Sequence, residues 1–383
     1  MQKIITLALA LLLTFGAILG CASTKNVVTQ TDEPAVSSAT QATDAPQITD
    51  EPTAAPTETP ATRIFTDSVG RQVEIPYTVE SIAVSGPLAQ IAVFALAPDM
   101  LVGVSSEWDA AAQAFIPEEY YNLPNLGQLY GGKGELNLEA LLASGAQVII
   151  DVGEPKSTIV EDLDALQAQT GIPFVHITMT TETAADAYIQ LGELLGREEY
   201  AQTLATYCDE VLTRTKEIAS TVEKTRVVYC LGESGLNVIA KGSFHGEIID
   251  LLCDNVAVVD DVSSKGTGNE ITMEQLMLWD PEVILFAPDS VYGMVGSDPT
   301  WQSLTAISSN NFYEVPFGPY NWMGFPPSVQ RYLGMIWLSQ LLYPETAQYN
   351  AFAEVANYFA LFYHVELSEQ QIGDLMLNSL GRK

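Results

Sequence analysis

Two carboxylates recur at equivalent places in this chain. The segment Glu135-Leu-Asn-Leu-Glu139-Ala-Leu-Leu-Ala-Ser-Gly-Ala-Gln-Val-Ile-Ile aligns without a gap with Glu270-Ile-Thr-Met-Glu274-Gln-Leu-Met-Leu-Trp-Asp-Pro-Glu-Val-Ile-Leu. Each copy has a cap residue, Asn137 or Thr272, a glutamate two positions later, an apolar helix and then a strand. A side-chain oxygen at the cap satisfies free amide donors, and an acid in the first turn suits the helix dipole. That electrostatic role suffices for either glutamate alone. Two equivalent exposed acids, on matching ends of two lobes, make that role alone a weaker account of the pair. Other groups with possible chemistry lie on loops. Glu107 and Glu154 are loop acids that a carboxylate-based hydrolase could use, but glycoside chemistry needs two carboxyls at a defined separation. No G-x-S-x-G, H-E-x-x-H or Walker sequence occurs, and the three histidines have no metal-ligand spacing. No catalytic residue, resident metal or cofactor is expected.

Cys21 carries the other distinctive chemistry. It closes Ile18-Leu19-Gly20-Cys21, directly after the apolar run Ile4–Gly16, with Lys3 as a minimal positive region. This is the pattern of a bacterial lipoprotein signal, with residues 1–20 removed and Cys21 acylated on sulfur and amine. A plain secretory signal or an uncleaved anchor is the alternative, although the run is short for a spanning helix of about 20 residues. Residues 22–62 are Thr, Ala, Pro and acidic residues with few large apolar side chains. Such a segment cannot offset its ordering entropy by burial, so 21–62 reads as a disordered tether. Its r.m.s. span as a flexible chain would be roughly 35 Å. The net charge of −32, from 48 acidic and 16 basic residues, argues against nucleic acid and against charge-driven adhesion to anionic lipid. Beyond Cys21, three cysteines remain, Cys208, Cys230 and Cys253. An odd number without C-x-x-C spacing predicts buried free thiols, with a Cys230–Cys253 pair left open.

The elements that would position these groups alternate. Ser81–Ser85, Leu101–Val104, Gln147–Asp151 and Phe174–Ile177 read as strands separated by helical spacing, the rhythm of a parallel sheet. From Ala184 to Val222 there is no proline, and one continuous helix is expected there as a spine. The rhythm then restarts with Arg226–Leu231, Val238–Ala240, Val283–Phe286 and a strand near Phe312–Pro316, followed by an amphipathic helix at Gln330–Leu342. The expected fold class is α/β, with two similar βα lobes around central parallel-type sheets. The divisions are an N-terminal lobe at 63–183, the connecting helix at 184–222, a C-terminal lobe at 223–350 and a helical tail at 351–383.

Several segments together resemble one family. Arg63–Val104, with its D-x-x-G-R hairpin leading into a first strand, looks like the opening of solute-binding lipoproteins of ABC importers, of the cobalamin, haem and ferric-siderophore class. Asn137-Leu138-Glu139 before Gln147-Val-Ile-Ile resembles its "N-L-E-x-L … P-D-L-V-I" signature. Lys241-Gly-Ser-Phe-His-Gly-Glu-Ile-Ile resembles the "G-S-x-x-G-E-L-I" start of a second-lobe helix. Phe325-Pro-Pro-Ser-Val-Gln-Arg331 resembles the segment before the penultimate helix, with Phe325 where Arg is common. The resemblance covers residues 63 to about 345. It implies lobes joined by one long helix that close by small motions. It also implies glutamates that dock onto arginines of the permease, here Glu139 and Glu274.

Ligand contacts follow from loop position, because open α/β lobes bind at the carboxyl ends of their strands. Those loops supply Ser85, Gly86, Trp108, Tyr130 and Lys133 in the first lobe, and Glu233, Lys241, Tyr320 and Trp322 in the second. Aromatic groups suit a flat or bulky chelate, and the two lysines could neutralise an anionic one. His245 could ligate haem iron, though a lone histidine at a helix start more often caps or packs. The expected protein is therefore a monomeric, lipid-anchored extracytoplasmic receptor. It would deliver a metal chelate to a permease dimer with its ATPase, without turnover. A tungstate or molybdate receptor of the same fold is the alternative, and a carboxylate-based hydrolase or sensory lipoprotein the alternatives of other kinds.

Overall fold

The computed structural model describes residues 61–108, 110–129, 135–288 and 290–380. Cys21, the signal segment, almost all of the tether, Tyr130 and Lys133 lie outside them. An antiparallel hairpin opens the body, β1 (Thr62–Thr66) against β2 (Gln72–Pro76). Asp67 closes its turn by accepting from the amides of Val69 and Arg71, and Arg71 returns an ion pair at 3.1 Å. The first-lobe sheet is β3 (Ile82–Val84), β4 (Val148–Gly153) and β5 (Phe174–Thr178), parallel, in the order β3-β4-β5. The strand expected at Leu101–Val104 is reduced to isolated bridges, Leu101 to Ile82 and Val104 to Asn125. Around this sheet lie α1 (Pro87–Leu96), the short α2 (Glu118–Tyr121), α3 (Leu138–Ala143) and α4 (Ile159–Thr170).

The stretch 184–222 corrects the expectation of one helix. It forms α5 (Ala184–Leu195) and α6 (Glu198–Thr221), which pack against each other. Gly196 ends α5 in the left-handed conformation, φ 65°, with its amide on the Gly192 carbonyl. Gly192 makes the fold-back possible, since a β-carbon there would stand 2.5 Å from that of Ala201. The spine is α6 alone. Its 24 residues span about 36 Å and contact α1 and α5 on one side of the molecule.

The second lobe has β6 (Arg226–Leu231), β7 (Asn237–Val238), α7 (Glu247–Leu252), β8 (Asp254–Asn255), β9 (Asn269–Glu270), α8 (Met273–Trp279) and β10 (Val283–Phe286). There follow α9 (Tyr292–Val295), α10 (Thr305–Ser308), β11 (Phe312–Glu314), α11 (Gln330–Leu342) and α12 (Pro344–Ala347). β11, β10 and β6 are parallel, β8 runs parallel to β6, and β7 and β9 add an antiparallel edge. α6 also packs on α7 and α11, which ties it to this lobe. The chain then returns in α13 (Ala351–Tyr363), which packs on α11 and on α1 of the first lobe, and ends in α14 (Glu369–Leu375).

The internal repeat is structural. α3 and α8 are each capped by a side chain, Asn137 accepting from the Ala140 amide and Thr272 from that of Gln275. Leu141 and Leu276 are the buried anchors. Both helices are followed by a left-handed residue, Gly145 (φ 75°) and Asp280 (φ 41°). Gln147 then accepts from the Glu80 and Ser81 amides, and Glu282 from that of Arg226. Along the buried strands the side chains alternate between layers. Val148, Ile150 and Val152, with Val227 and Tyr229, enter one large core shared by both lobes. Ile149 belongs to an outer layer of the first lobe, and Val228 and Cys230 to one of the second. Cys208, Cys230 and Cys253 are free and buried, and burial pushes all three thiols up. No helix among the described residues is long and apolar enough to cross a membrane.

Candidate functional site

The first-lobe side of the site is built where β3 and β4 end. Ser85 follows β3, and Gly86 leads into Pro87 at the first position of α1. No side chain caps this helix, so its leading amides open toward a cavity of about 130 Å³. Ser85, Gly86, Asp151, Gly153, Glu154 and Lys156 line it. At its base, the Ser85 hydroxyl donates to Asp151 Oδ1. Asp151 Oδ2 lies 2.7 Å from His176 Nδ1, its register neighbour on β5. All three side chains are buried, and His176 Nε2 meets no partner among the described residues.

The second-lobe side is organised by Arg331 in the first turn of α11. Its Nη1 donates to Glu247 and, at 3.2 Å, to the Thr181 hydroxyl of the first lobe; its Nη2 donates to the Phe244 carbonyl at 2.6 Å. Thr181 in turn donates to Glu247 at 2.6 Å, and the Tyr332 hydroxyl donates to the Thr181 carbonyl at 2.7 Å. Burial pulls the Arg331 pKa down, and Glu247 beside it opposes the shift; a guanidinium stays protonated regardless. These groups tie the lobes together beside a second cavity of about 20 Å³, room for one water, that Leu88, Val152, Thr180, Phe244, Ser328 and Arg331 help to line. His245 follows Phe244, with Nδ1 3.3 Å from the Gly324 carbonyl. Burial lowers its pKa, and that carbonyl works the other way. No group of three His, Cys, Asp or Glu among the described residues could hold a metal ion.

Residues 114–318, over half of the chain, match the sequence model of a family described as periplasmic binding protein. The chain belongs to that family. A relative, the molybdate-binding protein MolA of Haemophilus influenzae, is 24% identical over 335 residues, 79% of this chain and 91% of its own. Its structure with molybdate superposes with a TM-score of 0.63 at 20% identity, over 80% of this chain and 99% of that one. An ABC transporter solute binding protein from Sulfurospirillum deleyianum superposes with a TM-score of 0.74 at 28% identity, over 82% and 99%. The periplasmic catecholate-siderophore binding protein VctP of Vibrio cholerae superposes with a TM-score of 0.52 at 15% identity, over 72% and 99%, a likeness of fold alone. The chain is thus a periplasmic binding protein of the ABC-transporter type, with two α/β lobes.

In this periplasmic binding protein the residues expected at the ligand scatter. Ser85 and Gly86 line the first-lobe cavity. Trp108 is buried, its indole donates to the Tyr120 carbonyl at 3.1 Å, and its ring packs edge-on against Phe94. Tyr320 is half-buried and meets Trp108 at 6.2 Å between ring centroids. Trp322 is a correction: it is fully buried, donates to the Gly318 carbonyl and presents no surface to a ligand. Packing won there because Gly334 brings α11 against its backbone, where a β-carbon would stand 2.1 Å from the Trp322 carbonyl. Lys241 is a second correction. Its ammonium lies 3.0 Å from Asp254, which pairs with Arg226 at the amino-terminal end of β6, remote from the strand ends that face the cleft. Glu233 is exposed on the loop after β6. Glu139 and Glu274 are both exposed in the first turns of α3 and α8. Sequence reasoning missed Asp151 and His176, which sit within apolar strand runs, and Phe244, Thr181 and Arg331 as parts of the site. Their signal was a charged or aromatic residue at the edge of a strand or helix start.

Proposed function

We propose that this protein is the extracytoplasmic receptor of an ABC importer that captures a metal chelate of the ferric-siderophore, haem or corrinoid kind. It delivers the chelate to a permease dimer driven by its ATPase. The observation that carries this reading is the pair of lobes whose strand ends converge on one cleft, bridged by Arg331 and Thr181, with equivalent exposed glutamates on each lobe. A second reading, a molybdate or tungstate receptor, is favoured by the likeness to MolA and by the small first-lobe cavity, where the leading amides of α1 could hold an oxyanion. Turnover is not expected. Ser85 donates to Asp151, and His176 lies on the far side of that carboxylate, so the contact between nucleophile and base that a serine hydrolase needs is not made. A thermal-shift screen of ferric siderophores, haem, corrinoids, molybdate and tungstate decides between the readings. A ligand at 100 times its dissociation constant should add about 2.7 kcal/mol. Catalytic turnover of a candidate substrate, followed by a separate product assay, would favour an enzyme.

The proposal includes a monomeric body tethered through lipid at Cys21, outside the described residues. Cys21→Ala should abolish acylation and release the protein from the membrane fraction, since the thiol is the acylation point. Labelling with a radioactive fatty acid, followed by fractionation, reads this directly. Wild-type protein recovered soluble and unlabelled would show that the anchor was misread.

A further inference from the structure

The second lobe carries an aromatic surface that its own packing leaves open. Phe325 is 55% exposed and Phe244 36% exposed. The ring of His245 lies between them, 5.8 Å from Phe244 and 6.1 Å from Phe325. Leaving such rings in water forgoes the stabilisation that burial would give. Yet these rings are held in place. Phe325 lies on the backbone of Gly266: a β-carbon there would stand 2.1 Å from Phe325 Cε2 and 3.2 Å from His245 Cε1. Phe244 is held from behind by Arg331, whose guanidinium carbon is 4.6 Å from the ring centroid. His245 Nδ1 lies 3.3 Å from the Gly324 carbonyl, and the Ser264 backbone also meets the ring, so its orientation is fixed from behind.

The location is as informative as the geometry. Phe244 shares the interlobe cavity with Leu88, Val152 and Thr180 of the first lobe. Phe325 and His245 border a small cavity with Leu231, the last residue of β6. The array therefore lies on the second-lobe side of the cleft, where a ligand would arrive.

We propose that Phe244, His245 and Phe325, whose successive rings are inclined at 74° and 56°, form a preordered aromatic wall that meets flat conjugated rings of the ligand by face and by edge, which makes the ligand an aromatic chelate and not a bare oxyanion. This deepens the receptor reading above and rests on it. A conjugated ring gains offset-stacked or edge contact with aromatic side chains at little cost in side-chain entropy. An oxyanion has no face to stack, and the rings themselves offer it no donor in place of its water. The shared chemistry is the π face, which a porphyrin-type macrocycle and the rings of a catecholate chelator both supply.

The test is a set of tryptophan-fluorescence titrations of the full chain with haemin, a ferric tris-catecholate complex and sodium molybdate. At least one of the two aromatic probes, haemin or the tris-catecholate with its three flat rings, should bind, and the pair separates macrocycle from catecholate. F325A should weaken that probe about tenfold or more, and F325W should hold it within about threefold of wild type. The ligand-free thermal midpoint of F325A should stay close to wild type, because the ring is half in solvent. Should it fall sharply, G266A, whose β-carbon displaces the ring without removing it, should still cut affinity for the same probe. Binding of molybdate alone would overturn the aromatic wall and leave the receptor reading standing. So would equal affinity of F325A and wild type for an aromatic probe that binds. Binding of none of the three would overturn both.

Discussion

Replacing Glu139 and Glu274 together by alanine should reduce uptake at least about tenfold while leaving ligand affinity in solution unchanged. Both side chains project from first turns whose opposite faces are anchored by Leu141 and Leu276, so their removal leaves the lobes intact. The cap of each helix survives, because Asn137 and Thr272 supply the accepting oxygens. The Glu274 carboxyl is held below the usual carboxylate range by its own backbone amide and by the Thr272 hydroxyl, which keeps its charge available. The equivalence of the two positions suits a partner with two-fold symmetry, met once by each lobe. Charge pairs of this kind act on encounter and register more than on final affinity, and salt should weaken them. Uptake in cells and calorimetric titration of purified protein separate the two quantities. An equal loss in both would place the glutamates in the ligand pocket.

Arg331→Ala should lower stability by about 2–3 kcal/mol, near the low end for breaking a buried ion pair because Glu247 keeps partial contact with water. The variant removes donors to Glu247, Thr181 and the Phe244 carbonyl and opens a gap behind the Phe244 ring. For lobes of this size the thermal midpoint should fall by roughly 5–10 °C. Lys at the same position should recover only part of the loss, since an ammonium cannot present the planar fork that reaches three partners. Differential scanning calorimetry checks both variants. A shift within about 1 °C for the alanine variant would show that the network contributes little to stability.

The two-lobe plan was legible because the repeat is written in residues with local duties. Asn137 and Thr272 cap, Leu141 and Leu276 anchor, and Gly145 and Asp280 turn the chain, each within a few positions of its partner. The break at Gly196 was not legible for the opposite reason. A single glycine costs a helix only about 1 kcal/mol, so flanking residues with good helical propensity concealed it. What decides the break is the close approach of Gly192 to Ala201, a tertiary contact. The same holds for the site. Loop position led to Ser85 and Gly86, which line a cavity, but it could not tell that Trp322 turns inward under α11 or that Lys241 spends its charge on Asp254. Asp151 and His176 were hidden because strands buried on both faces read as continuous apolar runs, and a polar residue near the end of one passes for its boundary.

The return of residues 351–363 onto the first lobe has a temporal consequence. Tyr363 meets Phe94, Phe362 meets Tyr188 and Tyr207, and the Tyr363 hydroxyl reaches Gln330 at 2.7 Å. The interior around α1 therefore stays incomplete until almost the whole polypeptide has been delivered. Contacts between residues so far apart along the chain form late and slow folding. For the exported receptor proposed above, crossing a membrane amino end first, that lateness would be useful. The leading half cannot lock into a finished globule and jam the passage while the trailing half is still inside.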